Sequence, residues 1–222
     1  MFYFGVLWVV KYIIPNPLQG INIVFSALDS KVAGNIENAV LRLAQGHDQS
    51  VYVISNASNY RMSPTVPLMI PEVNPDHLDI LYKDGTFAKQ AIITNPNCCA
   101  IPFTLALAPL AERYGIEEVC VSTYQAVSGT GYPGESAWDM VGNVHPHAGN
   151  EEEKLQLEPL KILGSIKQNS FDFHNMKISA RCVRVPTVDG HLLSLQFRLA
   201  TPPLLDSGKI NIEEIKNVLQ NW

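Results

Sequence analysis

The chain has 222 residues, enough for one or two domains with a sizeable core. Hydrophobic residues make up 46% and charged residues 17%, ordinary for a globular enzyme and too apolar for a disordered chain. The formal net charge of -5, with no basic block or stripe, argues against nucleic acid as a partner.

Residues 1–14, MFYFGVLWVVKYII, are apolar but shorter than the roughly 20 residues a spanning helix needs. They also lack the positive n-region and cleavage site of a secretory signal, so no membrane partner is expected. A buried strand, an edge left by truncation or a wrongly assigned start all fit this run. INIVFSA, from Ile21, reads as a buried parallel strand. Residues 31–45 then set Val32, Ile36, Ala39, Val40 and Leu43 on one helical face that ends at Gly46. VYVIS follows as a second strand, completing the strand–helix–strand unit of a parallel sheet.

Residues 56–75 are rich in Pro, Asn and Ser and read as an irregular connection. AIIT (91–94) is a further buried strand, and residues 98–113 are helical in pattern. After them come a strand (EEVCVSTYQAV), a Gly-rich loop and a charged helix near 151–168. Two long strands, ISARCVRV and HLLSLQFRLA, flank a turn, and an amphipathic helix closes the chain. The change from parallel-sheet to hairpin patterning near Cys98 predicts a domain boundary. Four cysteines (Cys98, Cys99, Cys120 and Cys182) show no CxxC spacing, so neither a metal site nor a disulfide framework is supported. A reducing, cytoplasmic compartment fits best.

ITNPNCCAIPFT carries the most chemistry. Asn97 reads as a helix N-cap, and Pro102 falls in the first turn, where its missing N–H costs little. Cys98 then sits at the positive end of a helix, which favours a thiolate. The ordinary reading of such a cysteine is a small buried hydrophobe. In RVPTVDGH, Asp189-Gly190 is a turn signal; Arg184 ends one strand and His191 begins the next, so both can face one pocket edge. An exposed His beside a turn is the commoner case, but a thiolate needs a base. GTGYPG (129–134) matches GxGxxG, yet Pro133 and the lack of a following acidic strand end favour a plain flexible loop. EEEKLQLEPLKIL reads as a solvated helix start, and Arg61 in NYRMSP as an exposed loop arginine, although an arginine can fork onto a carboxylate or phosphate.

Taken in order, SALDS, ISNASNYRM, VPLMIPEVN, ITNPNC, STYQAVSGTGYPG, NEEEKLQLEPLKILG and RVPTVDGH resemble the aspartate-semialdehyde dehydrogenase family, especially its archaeal and fungal branch. The resemblance covers about residues 21–200. It implies an α/β fold in which a partial Rossmann-type nucleotide-binding domain (1–95, with 1–20 an atypical start) precedes a mixed α/β catalytic and dimerisation domain (96–222). It implies Cys98 as nucleophile, Gln125 as the glutamine that positions substrate, and His191 as acid/base. Arg184 resembles the clamp on the substrate carboxylate, Arg61 and Lys154 the pair that holds phosphate, with Glu151 and Asn97 on the substrate side. Ser128 and Gly129 resemble the loop at the nicotinamide end of NADP, and Ser26 and Ala27 a cofactor-facing strand end. The implied reaction interconverts aspartyl-4-phosphate and aspartate 4-semialdehyde with NADP through a cysteine thioester, a step toward lysine, threonine and methionine. A homodimer or tetramer goes with it.

Three departures accompany the likeness. No GATGxVG turn is present, the chain stops before the family's closing stretch, and the second cysteine replaces a Ser or Thr. The resemblance therefore implies a form incomplete at both ends. Two other readings use the same residues: a cofactor-independent Cys/His acyl transferase, which leaves Arg61, Lys154 and Gln125 without work, and an inactive chain that only associates. The acetylglutamyl-phosphate and malonyl-CoA reductases share the fold, but their cysteine contexts differ from NPNC.

Overall fold

The structure, a computed structural model, describes residues 18–131 and 133–222, so the opening run at 1–14 and Tyr132 of the Gly-rich loop lie outside it. Two compact units result. One takes residues up to Leu68 together with Leu78–Asn95; the other takes Met69–His77 and Pro96–Trp222.

In the first unit, β1 (Ile23–Ser26), β2 (Val51–Ser55) and β5 (Gln90–Thr94) form a parallel sheet in the order β1-β2-β5, with α1 (Ser30–Gly46) as the crossover. Asp29 caps α1 by accepting the Lys31 N–H at 2.9 Å. A two-residue hairpin, β3 (Tyr82–Lys83) and β4 (Thr86–Phe87), precedes β5. The core joins Val40 and Ala44 of α1 to Val51, Val53 and Ile92 of the sheet.

Two expectations are corrected here. The apolar run INIVFSA is not buried on both faces: Ile23 and Phe25 are 56% and 82% exposed. Among the described residues β1 has only β2 beside it, and α1 covers only the face of Val24 and Ser26. The buried face of α1 is also not the one expected. It carries Ala33, Glu37, Val40 and Ala44, while Val32 and Ala39 are exposed. The small Ala33 and Ala44 let the helix approach the sheet closely, and Glu37 is drawn inward by two serine hydroxyls.

In the second unit, α2 (Ala100–Tyr114) buries Phe103, Leu107, Leu110 and Tyr114 at helical spacing against Val119 and Val121 of β6 (Ile116–Gln125). A short helix, α3 (Ala137–Met140), leads to α4 (Glu151–Ile162). There the predicted helix ends early. Residues 163–168 do not continue it, because β7 (Ser165–Lys167) and β8 (Ser170–Asp172) turn back through Gln168 and Asn169 at positive φ. Gly164 permits the tight exit, since a Cβ there would meet the Asp172 carbonyl at 2.3 Å. β9 (Lys177–Arg184) and β10 (Leu192–Leu199) follow, and α5 (Ile212–Gln220) closes the chain.

β9 and β10 are not a hairpin, contrary to their patterning. The ten-residue β6 lies between them, parallel to β9 and antiparallel to β10. Their connection crosses the end of β6, where Val127 and Ser128 donate to the Thr187 and Val188 carbonyls. That crossing gathers three chain segments at one sheet end. Gln125 pairs with Arg184, and Tyr124 pairs with Leu192, next to His191.

Candidate active site

Asn97 is the residue by which the cysteine turn is tied down. Its backbone N–H donates to Glu158 at 2.6 Å, and its side-chain amide donates to Glu151 at 2.7 Å. Its Oδ1 accepts the Cys99 N–H at 2.9 Å. The N-cap of α2 is Cys99 rather than Asn97, so Asn97 holds the turn before the helix. Pro102 does fall in the first turn, as its chemistry demands.

Cys98 is exposed, Cys99 is buried, and all four cysteines are free thiols. The sulfurs of Cys98 and Cys99 and a ring nitrogen of His191 lie within 4.8 Å of one another. The Cys98 thiol is lowered to about 6: the hydrogen bond from Cys99 is the largest cause, burial opposes it, His191 lowers it again, and the Glu151 charge raises it. The same hydrogen bond, with burial, pushes Cys99 strongly upward. One thiol is thus held as thiolate by the other, which stays protonated.

His191 accepts the Ala126 N–H on Nδ1 at 3.0 Å. That bond assigns the proton of the neutral ring to Nε2, the nitrogen left for the Cys98 sulfur. Arg184 is buried, and its Nη1 donates to the Ala126 carbonyl at 2.9 Å. Its Nε makes no hydrogen bond among the described residues and stands 4.0 Å from Glu135. Gly129 lies against this pair: a Cβ there would meet Arg184 Nη1 at 2.9 Å and His191 Cε1 at 3.0 Å. Gln125 is buried at the end of β6, its amide on Thr123 at 3.2 Å.

Lys154 pairs with Glu151 at 2.7 Å, which extends the chain of contacts Asn97–Glu151–Lys154 along α4. The second unit therefore links Cys98, His191, Arg184, Gly129, Asn97, Glu151 and Lys154 through direct neighbours. Ser128, exposed beside Gly129, belongs to the Gly-rich loop, which lines an open cleft of about 410 Å³. Arg61 belongs to the first unit. It is buried rather than exposed, because Nη2 donates to the Asn56 carbonyl at 2.8 Å. Ser26 and Ala27 line another cleft of about 410 Å³ in that unit, but the Ser26 hydroxyl is turned to Glu37.

Sequence reasoning passed over Glu37, Ala126 and Glu158. Ala126 acts through its backbone, which leaves no side-chain signal. Glu158 had one: it lies seven residues, two helical turns, after Glu151 and so shares its face.

Residues 107–221 match the family described as semialdehyde dehydrogenase, dimerisation domain, and residues 4–81 the one described as semialdehyde dehydrogenase, NAD binding domain. The chain is 38% identical over 220 residues to aspartate-semialdehyde dehydrogenase of Schizosaccharomyces pombe, covering 96% of this chain and 58% of that one. It is 39% identical over 197 residues to the Archaeoglobus fulgidus enzyme of the same name, covering 88% of this chain and 55% of that one. Among solved structures, aspartate semialdehyde dehydrogenase with NADP from Candida albicans superposes with TM-score 0.79 at 34% identity, covering 93% of this chain and 57% of that one. Aspartate semialdehyde dehydrogenase II complexed with ASA from Vibrio cholerae gives 0.70 at 25%, covering 90% and 60%. The chain spans about half the length of the curated relatives it matches. It belongs to the semialdehyde dehydrogenase family.

Proposed function

We propose that this chain carries the thiol chemistry of an aspartate-semialdehyde dehydrogenase, the reversible NADPH-dependent interconversion of aspartyl-4-phosphate and aspartate 4-semialdehyde. One observation carries the reading: an exposed thiol lowered to about 6 by hydrogen bonds from Cys99 and His191, in a chain of this family. In the oxidative direction the Cys98 thiolate adds to the aldehyde carbon, forming the C–S bond. The His191 Nε2–H donates to the oxygen on which charge develops. After hydride loss, a phosphate oxygen attacks the thioester, the C–S bond breaks and the electron pair returns to Cys98 as thiolate. Arg184, with an Nε–H still free to donate, clamps the substrate carboxylate, and Gln125 orients it. Glu151 and Asn97 lie on the substrate side. Lys154 is the phosphate-directed cation of the second unit, and Arg61 that of the first.

The residues present fit the nicotinamide end of NADP. Gly129 keeps the backbone open beside His191 where any Cβ would collide. Ser128 and Gly129 would hold that end, with Ser26 and Ala27 lining the cleft of the first unit; NADP, when bound, accepts or supplies the hydride. The dimerisation-domain match supports a homo-oligomer, which we take to be a homodimer or tetramer, and four free thiols fit a cytoplasmic site of action. Among the described residues no helix is long and apolar enough to cross a membrane.

The test is nicotinamide reduction on adding aspartate semialdehyde, NADP and phosphate. Phosphate-dependent reduction abolished by Cys98→Ala and only slowed by Cys99→Ala is the expected result. No turnover from a folded chain, or turnover that survives Cys98→Ala, overturns the reading.

A further inference from the structure

We propose that Glu158 is a positioning residue for the nucleophile: its buried carboxylate holds the Asn97 amide and so fixes the backbone that presents Cys98, with Lys161 as its charge partner. The inference rests on reading Cys98 as the nucleophile.

Glu158 is 2% exposed and Lys161 is 0% exposed, a pair of opposite charges carried by one helix in the interior of the second unit. Burying two charges is expensive, and apolar residues of like volume often serve packing equally well. What an apolar residue cannot do is accept a hydrogen bond. Glu158 accepts the Asn97 N–H at 2.6 Å, a charge-assisted bond one residue before the reactive sulfur. Asn97 precedes the N-cap of α2, so its N–H has no acceptor within that helix. Because the Asn97 side chain also donates to Glu151 and its Oδ1 accepts the Cys99 N–H, the residues on both sides of Cys98 are anchored to α4 through Asn97.

A carboxylate this near a thiolate would normally oppose it. Lys161 offsets that charge, its ammonium resting 4.4 Å from the Phe171 ring centroid and attracted to Glu158. The pair thus supplies a strong acceptor whose own charge is offset by a neighbouring cation.

Two double variants isolate the acceptor. Glu158→Gln with Lys161→Met removes both charges and keeps a carbonyl oxygen for the Asn97 N–H; Glu158→Leu with Lys161→Met removes the acceptor as well. The readout is the rate of iodoacetamide alkylation of Cys98 against pH, followed by peptide mass spectrometry with Cys120 as the internal reference. The Gln pair is expected to keep the parental midpoint. The Leu pair is expected to slow Cys98 about tenfold at neutral pH and move its midpoint upward, with Cys120 unchanged. Equal Cys98 profiles in the two pairs, whether parental or slowed, overturn the proposal. Should the Leu pair not fold, amide exchange in the parent chain decides: Asn97 N–H exchanging as fast as a solvent-exposed amide overturns it, and strong protection supports it. Alkylation needs no turnover, so an inactive parent would sink the functional reading and leave this result standing.

Discussion

Arg184 and His191 hold the same residue by its two backbone polar groups: Arg184 donates to the Ala126 carbonyl at 2.9 Å, and His191 accepts the Ala126 N–H at 3.0 Å. The guanidinium and the imidazole are thereby held in one geometry by a single buried backbone residue. Gly129 is the wall behind them, and a methyl group there would drive into both. Gly129→Ala is therefore expected to lower kcat/KM about 100-fold, since small misplacements of catalytic groups carry penalties of that order. Gly129 is exposed and its φ is not in the left-handed region, so the thermal midpoint should hardly move. A fully active Gly129→Ala variant would remove the case for a crowded Arg184–His191 pair.

The two cysteines make a second prediction, because the largest cause lowering Cys98 is the hydrogen bond from Cys99. In the parent, alkylation of Cys98 should follow a midpoint near 6, far below an ordinary thiol. Cys99→Ser keeps an O–H donor and should keep most of that shift. Cys99→Ala deletes the donor, so the midpoint should move up toward the normal thiol value. The rate at pH 6 then falls, while the rates near pH 9 converge. A Cys99→Ala profile identical to the parent would mean that His191 alone holds the thiolate.

Local sequence made much of this site readable. Pro102 marks the first turn of α2, and the turn at Asp189-Gly190 sets Arg184 and His191 at strand ends, because such signals act through their own backbone. The β6-β9 and β6-β10 pairings were not readable, since a strand's own pattern does not name its neighbour; two strands either side of a turn imitate a hairpin even when a third lies between them. Burial of Glu37, Glu158 and Arg61 was hidden for a related reason. Charged residues read as solvated unless the partner is known, and each partner is distant in sequence or is a backbone atom.

Lys161 predicts a pH dependence of stability. Burial pulls its ammonium down to about 8, with Glu158 pulling the other way. In the unfolded chain it titrates at about 10.4. Between those values the unfolded chain holds the extra proton, so stability rises with pH across the window; below about 8 this contribution is lost. The gain amounts to about 3 kcal/mol at most. Urea unfolding of the parent and of Lys161→Met at pH 7.5 and pH 10 measures it. The parent should gain on the variant at the higher pH; a difference that stays flat contradicts the shift.

Glu37 gives the last prediction and separates structure from cofactor binding in the first unit. One of its oxygens accepts the hydroxyls of both Ser26 and Ser55, each at 2.6 Å, so it pins β1 and β2 to α1. Glu37→Leu leaves two buried hydroxyls without an acceptor, a loss of about 2 to 4 kcal/mol if each unsatisfied group costs its usual amount. Adding Ser26→Ala and Ser55→Ala to that variant removes the orphaned groups and should restore part of the loss. This is the non-additivity expected of groups sharing one network. It follows that Ser26→Ala in the parent should read chiefly as a change in unfolding midpoint. If instead it weakens NADP binding while the midpoint stays fixed, the hydroxyl serves the cofactor and the Glu37 bond is incidental.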